Sequence, residues 1–489
     1  MSSIKSQGIQ AFIWDLLGKV GIHASSFIVM IILARLLEPS DFGLIAMVMV
    51  IVGIASIFSD IGLGGALIQR RRVLPIHYSS VLIFNVGAGF ILTLLTFFSA
   101  DLIATFYNSS ELSPIVKVMS TLFTISAFHA VQSVILRKEL NYKLLTQVNL
   151  IASILSGVIG VVLAFLDFGV WSLVGQVLSR ELIINIVIWS KTSWIPSLSF
   201  SFKALKQLWG YGFNMFLAGV IDTVYEKIDY MIIGRLFSPA TLGFFYQAKQ
   251  LNMFVIKYSS GSLMSVLFPV LSKIQKDKAH FQRVVIKSLG IICFITFFLL
   301  GELYLIADEL IVGLFGEKWE ASVYYFKILA LSGFAYPISA LMVNILSSRG
   351  KSKDFLKLEI YKKVIQSINL YILYLYGIEV FLYGLIITSI LGTSLNIRFA
   401  TREIELSFIN IVRPIAIEAF ITFTLILSIL YITNFLYFND FSMMLIEGIL
   451  FFSIYIFINW IFKIKSFQYI LEQLKPIIDK KIKAKKDDK

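Results

Sequence analysis

The sequence predicts an all-α integral membrane protein of about fourteen transmembrane helices: two parallel-repeat lobes of six, then two further helices toward the C-terminus. Three observations carry this. The 489 residues are 58% hydrophobic and 15% charged, with mean hydropathy +0.83, whereas soluble domains carry about a quarter charged residues. Apolar runs of about twenty residues, enough to cross a hydrocarbon core about 30 Å thick, recur from end to end with short polar breaks. Lys and Arg concentrate in alternate breaks, as they do in cytoplasmic loops.

The first helix is expected near 10–34. Asp15, Lys19 and His23 interrupt it and no small-residue cleavage pattern follows, so it should remain as a spanning helix rather than a cleaved signal. The break "ARLLEPSDFGLIAM", from Ala34, opens the second helix near 42–62, and Arg70, Arg71 and Arg72 separate it from the third near 80–105. The fourth, near 114–136, ends on Arg137, Lys138 and Lys143; the fifth and sixth, near 145–166 and 170–190, end on Lys191. The following "TSWIPSLSFSFKALKQLW" sets Trp194, Phe200, Phe202, Leu205 and Trp209 among polar residues, the composition of a segment lying at the cytoplasmic interface and linking two halves.

The seventh and eighth helices are expected near 210–233 and 244–271. Lys273, Lys276, Lys278, Arg283 and Lys287 lead into the ninth near 284–307, and the tenth near 322–345 ends before Arg349, Lys351, Lys353 and Lys357. The eleventh and twelfth, near 358–376 and 380–398, close on Arg398 and Arg402; the thirteenth and fourteenth, near 412–436 and 442–464, precede the basic tail "PIIDKKIKAKKDDK". The opposite loops offer only Arg35, Arg235 and Lys318, so both termini are expected in the cytoplasm. Cys293 lies alone in an apolar run, which leaves packing as its role and gives no disulfide or CxxC metal site.

The break after the first helix recurs as "GRLFSPATLGFFYQ", from Gly234, after the seventh. Arg35/Arg235, Leu36/Leu236, Pro39/Pro239 and Gly43/Gly243 match at one constant spacing. "SADLIATFY" ending at Tyr107 is echoed by "IADELIVGLFG" ending at Gly316, and "FGVWSLV" at 168–174 by "GIEVFLYGL" at 377–385. Six helices separate equivalent positions, and an even number returns the chain to the same side. The halves are therefore parallel repeats about an axis along the membrane normal. This gives lobes of 1–200 and 201–402, with the added helix pair and tail in 403–489.

"ILARLLEPSDFGLIAM", "DIGLGGALIQRRR", "ADLIATFY" and "LRKELNYKLL" together resemble the polysaccharide-transporter branch of the multidrug/oligosaccharidyl-lipid/polysaccharide superfamily, over nearly the whole chain. The nearest resemblance is to bacterial flippases of the colanic-acid and lipopolysaccharide-biosynthesis type. The resemblance implies transfer of undecaprenyl-diphosphate-linked oligosaccharide from the cytoplasmic to the outer face of the inner membrane, by alternating access. It also implies a central cavity lined largely by the first, second, seventh and eighth helices, often basic. No cofactor is implied.

Charged groups inside membrane helices cost about 2.5–3.5 kcal/mol on insertion scales and therefore face protein or water. On the first helix Asp15, Lys19 and His23 step by four and share a face. Asp15 and Lys19 either neutralise each other, or Lys19 meets diphosphate while Asp15 or His23 exchanges a proton. On the eighth, Lys249 and Lys257 share a face with no acid in the helix, as cavity lining or as partners of the seventh. The seventh offers Asp222, Glu226 and Asp229 on one stripe, for coupling to a proton or Na⁺ or for pairing with those lysines. Lys19, His23, Lys249 and Lys257, continuing to Arg35 and Arg235, make a candidate cationic path for the diphosphate. Arg180 with Glu181, Lys117 and Lys327 read instead as internal or interfacial pairs.

The rival readings are a peptidoglycan-precursor flippase or cation-coupled drug exporter of the same superfamily, a membrane-embedded polymerase, and a scaffold that docks polysaccharide-assembly proteins. The scattered His23, His77, His129 and His280 and the short outer loops argue against an enzyme. The +13 charge lies in alternate loops and so addresses membrane lipids rather than nucleic acid.

Overall fold

A computed structural model of the chain describes residues 4–60, 62–436 and 439–472, and every regular element among them is helical. The helices are α1 (Ile4–Leu36), α2 (Pro39–Asp60), α3 (Leu63–Gln69), α4 (Pro75–Phe98), α5 (Ala100–Phe106) and α6 (Leu112–Met119). They continue as α7 (Leu122–Lys138), α8 (Tyr142–Phe165), α9 (Val170–Lys191), α10 (Phe202–Leu236), α11 (Pro239–Ile274) and α12 (Lys278–Leu305). The last are α13 (Ala307–Phe315), α14 (Glu320–Gly333), α15 (Ala335–Ser348), α16 (Ser352–Ile404), α17 (Phe408–Thr433) and α18 (Asp440–Ile461). Eleven stretches among the described residues are long and apolar enough to cross a membrane, and the protein is an integral membrane protein.

The helical map differs from the sequence reading where one run becomes two elements or two become one. The fourth expected helix is α6 and α7, broken around Ser120, and the tenth is α14 and α15, broken at Phe334. The eleventh and twelfth are continuous in α16 except for a kink at Gly377, where φ is 84°. Hydropathy averages over such breaks because the flanking residues remain apolar.

The chain forms two compact units, Met1–Tyr246 and Gln247–Lys489. In the first, α8 packs against α1 and α9, α4 against α7, and α10 against α2 and α3. Basic loop residues have local work here: Lys138 Nζ donates to the carbonyls of Leu67 (2.6 Å) and Arg70 (2.5 Å), satisfying carbonyls that the end of α3 leaves without intrahelical donors. The stretch 192–201 is extended and pinned to the start of α4, with Ser197 N to Ser79 Oγ at 3.1 Å and Ser201 N to Ser80 Oγ at 2.9 Å. Trp194 packs edge-on against Tyr78 and a buried cluster of the first unit, while Ile195, Leu198 and Phe200 stay outside, Leu198 at 99% exposure.

In the second unit α12 lies at the centre, packed by α14, α15, α17 and α18. Cys293 is fully buried there among Leu289, Ile292, Phe297 and Ile338, a packing position. Buried polar groups tie the last two helices to α12: the Tyr455 hydroxyl lies 2.7 Å from Glu418 Oε2 and 3.1 Å from the Phe294 carbonyl.

Candidate functional site

The repeated phrase packs against its own copy. Pro39 and Pro239 each open a helix at the first position, where a missing amide hydrogen costs nothing. The two starts use opposite halves of a capping box. In the first copy the Glu38 amide donates to Asp41 Oδ2 (3.0 Å); in the second, the Thr241 amide donates to Ser238 Oγ (3.2 Å). Gly43 and Gly243 then meet the opposite helix start. A Cβ on Gly43 would fall 1.8 Å from the Pro239 carbonyl oxygen, and one on Gly243 would fall 1.8 Å from that of Pro39. The contact is reciprocal, as a two-fold relation between the copies requires.

The other echoes have matching geometry within their own units. Lys117 Nζ pairs with Asp101 Oδ1 at 3.1 Å, and Lys327 pairs with Asp308. Both lysines are paired, each with a largely exposed carboxylate, within the internal or interfacial pairing that the sequence reading expects. Gly169 and Gly377 each take positive φ, 54° and 84°, immediately before a helix.

Inside the first unit lies a cavity of about 520 Å³ bounded by α1, α2, α7, α8 and α9. Hydroxyls converge on it: Ser26 from α1, Ser56 from α2, Ser126 from α7, and Ser153 and Ser156 from α8, joined by Gln176, Arg180 and Glu181 of α9. His23 is at its rim, and Met49, Val52 and Phe123 form its apolar wall. Ser153 Oγ lies 3.4 Å from both Ser25 Oγ and Ser26 Oγ, so this face is already a loose hydroxyl chain. Glu181 does not pair with Arg180. Its Oε2 is 2.9 Å from His129 Nε2, and the same helix is held to α7 by Asn185 Nδ2 donating to the Ile125 carbonyl (2.8 Å). Arg180 is exposed to the cavity and makes no ion pair among the described residues. A polar, cation-bearing pocket with one apolar wall suits a sugar, whose hydroxyls need donors and acceptors and whose ring faces need apolar surface.

The sequence-derived candidates are dispersed. Lys19 and His23 are exposed on α1, and only His23 reaches this cavity. Arg35 and Arg235 are exposed at the ends of α1 and α10, where a cation complements the helix dipole. The Arg235 guanidinium also lies 5.6 Å from the Phe106 ring centroid. Asp222 and Glu226 are exposed on α10, and Asp229 is buried and accepts from the Tyr230 amide at 2.8 Å. Glu226 meets the adjacent Lys227 at 3.3 Å, although successive residues diverge by about 100°, because the long lysine stem bends back. Lys249, half-buried, belongs to the second unit. The side chains of Asp15 and Lys257, and the basic tail, lie outside the described residues.

The serines and Arg180 are what sequence reasoning missed. Ser26 follows His23 by one helical turn, a signal that was available; the convergence of five helices was not.

A protein-family model described as polysaccharide biosynthesis protein matches residues 32–324. The chain belongs to that family. Among curated relatives it is 25% identical over 301 residues to the teichuronic acid biosynthesis protein TuaB of Bacillus subtilis, covering 61% of this chain and 62% of that one. It is 22% identical over 364 residues to the lipopolysaccharide biosynthesis protein WzxC of Escherichia coli, covering 74% of each. The succinoglycan biosynthesis transport protein ExoT of Rhizobium meliloti is 24% identical over 332 residues, with 67% of each covered. The chain thus spans less than two thirds of the length of TuaB.

Among solved structures, the fold is similar to the lipid II flippase MurJ in an inward closed conformation, with TM-score 0.74, 14% identity, and 92% and 98% of the two chains covered. An inward-facing multidrug transporter of the superfamily expected from the sequence gives TM-score 0.63 at 15% identity, over 78% and 94% of the chains.

Proposed function

We propose that this protein is a flippase that carries undecaprenyl-diphosphate-linked oligosaccharide units from the cytoplasmic to the outer face of a bacterial inner membrane, for surface polysaccharide assembly. Family membership and the names of its relatives support polysaccharide export. The observation that carries the reading is the hydroxyl-lined cavity bearing Arg180, enclosed by helices that otherwise read as lipid-spanning. In this reading α10 and α11 also cross the membrane and α16 crosses twice, which makes fourteen crossings with both termini cytoplasmic. The repeats 1–200 and 201–402 act as lobes in alternating access, and 403–489 supplies the added pair.

Lys19, His23, Lys249 and Lys257, with Arg35 and Arg235, form the cationic path in this proposal, to which Arg180 is added. Asp15, Asp222, Glu226 and Asp229 are the candidates for holding a coupling proton or Na⁺. A membrane potential of 100 mV is worth about 2.3 kcal/mol per charge, so with the cytoplasm negative a diphosphate is driven outward. If neither an imposed potential nor a gradient of either ion changes transport into liposomes, the driving-force part of the proposal is lost.

The test is the sidedness of lipid-linked oligosaccharide in cells. Cells lacking the protein accumulate it on the cytoplasmic face, and Arg180→Ala, Lys19→Ala, Lys249→Ala and Lys257→Ala fail to restore export at normal protein abundance. Normal sidedness without the protein would overturn the transport reading. Normal export by all four variants would overturn the cationic path.

A further inference from the structure

The second unit contains a basic cavity that the transport reading leaves unused. Between the start of α17 and the end of α18 a space of about 540 Å³ is lined by Arg413, Lys463 and Lys465 together with Asn410, Ser466 and Tyr469, and its lining includes no acidic residue. None of the three cations makes an ion pair among the described residues. Nearby acids are committed elsewhere. Glu472, the only acid between 463 and 472, is held by Lys287 at 2.7 Å, and Glu418 is fully buried behind the lining, held by the hydroxyls of Tyr455 and Ser466. Three like charges around one cavity repel one another unless an anion joins them.

Lys463 is held there at a conformational cost. Helix α18 ends in a Schellman motif, with the Ile464 amide donating to the Asn459 carbonyl (3.0 Å) and the Lys463 amide to that of Trp460 (3.2 Å). That motif puts Lys463 in the left-handed region, φ 47°, a position usually filled by glycine. The rest of the cavity is apolar, through Ile286, Ile417 and Phe462. Beside it α18 exposes Trp460 (62%) and Phe457 (55%) along its length, a surface suited to hydrocarbon.

We propose that this cavity binds the phosphate headgroup of an anionic lipid, with the lipid chains lying along the exposed face of α18. Basic pockets between transmembrane helices at the cytoplasmic surface are suited to such headgroups. The three cations and the Tyr469 hydroxyl supply donors for the phosphate oxygens. The site is independent of the transport reading, since either a bilayer phospholipid or a polyprenyl diphosphate presents this chemistry.

The experiment is native mass spectrometry of the purified full chain in neutral detergent, titrated with phosphatidylglycerol, undecaprenyl diphosphate, inorganic pyrophosphate or diacylglycerol. At least one phosphate lipid is expected to bind more tightly than diacylglycerol and pyrophosphate. Its affinity should fall about fivefold for each cation removed, and hence more than tenfold in the Arg413→Gln/Lys465→Gln double variant. Lys463→Gly separates binding from folding, because it removes a charge while relieving the left-handed strain: melting temperature holds or rises, and lipid affinity falls. Preference for phosphatidylglycerol identifies a bilayer lipid as the occupant, and preference for undecaprenyl diphosphate a polyprenyl carrier. Undiminished binding in the double variant, or equal binding of diacylglycerol, overturns the site; pyrophosphate binding as tightly as the lipids overturns the lipid assignment.

Discussion

Adding a single methyl group at Gly43 tests the reciprocal contact at the repeated phrase. A Cβ there would sit 1.8 Å from the Pro239 carbonyl oxygen and 2.6 Å from its carbon, against an ordinary contact of 3.4 Å or more, so α2 and the start of α11 must separate by the difference, 1.6 Å. Both obstacles are backbone, so no rotamer change relieves them. Overpacking absorbed by side chains costs about 1–3 kcal/mol, and a backbone collision belongs at or above the top of that range, about 3 kcal/mol. At roughly 2–4 °C per kcal/mol for a domain of this size, Gly43→Ala should lower the melting temperature by about 6–12 °C, read by tryptophan fluorescence of the purified protein in detergent. Gly243→Ala should behave alike, since its Cβ meets the Pro39 oxygen at the same distance. One displacement relieves both clashes, so the double variant should cost well under the sum of the singles, with a coupling of about 1–3 kcal/mol. A Gly43→Ala protein that melts with the wild type, or strictly additive costs, would refute the reciprocal packing.

Further predictions concern the loops and the cavity. The Asp101 carboxyl is held below the usual aspartate range, first by the Ser113 hydroxyl and then by Lys117. A depressed value means that its contribution to stability is present above the unfolded pKa of about 3.9 and is lost as pH falls through the folded value. Melting curves from pH 6 downward should therefore show an acid-side loss in the wild type that Asp101→Asn lacks. Glu405, lowered by Lys278, should give the same sign in a Glu405→Gln comparison. Lys138→Met removes the donor to the Leu67 and Arg70 carbonyls and should destabilise by about 1.5 kcal/mol, with faster amide exchange confined to residues 63–70. Ser153→Val in the cavity removes a hydroxyl from the Ser25, Ser26 and Ser153 cluster; export measured by sidedness should fall with melting temperature nearly unchanged, and a large melting shift would assign the cluster to packing.

The membrane class and most helices were legible because hydropathy is a local property: twenty apolar residues have few other soluble or structural outcomes. The repeat was legible for a related reason. Proline at a helix start, glycine at a close approach and glycine at positive φ each restrict the residue type, so Pro39/Pro239, Gly43/Gly243 and Gly169/Gly377 leave marks in the sequence. Lys117 and Lys327 could be read as paired because an unpaired charge within an apolar run is costly. The site was far less legible. Ser26, Ser56, Ser126, Ser153 and Ser156 are individually unremarkable in membrane helices, where serine can satisfy itself on its own backbone, as Ser156 Oγ does at 3.3 Å from the Ser153 carbonyl.

By itself, then, the sequence determined that the chain lives in a bilayer, that it is built from helices, and that one phrase is used twice. Each follows from composition or from a residue whose backbone demands are specific. Tertiary packing alone decided that Gly43 and Gly243 face each other's helix starts, that Glu181 takes His129 and leaves Arg180 to the cavity, and that Arg413, Lys463 and Lys465 surround one space. Those outcomes depend on which helices become neighbours and at what rotation, and that is set by the summed close packing of many interchangeable apolar side chains rather than by any residue that could be read alone.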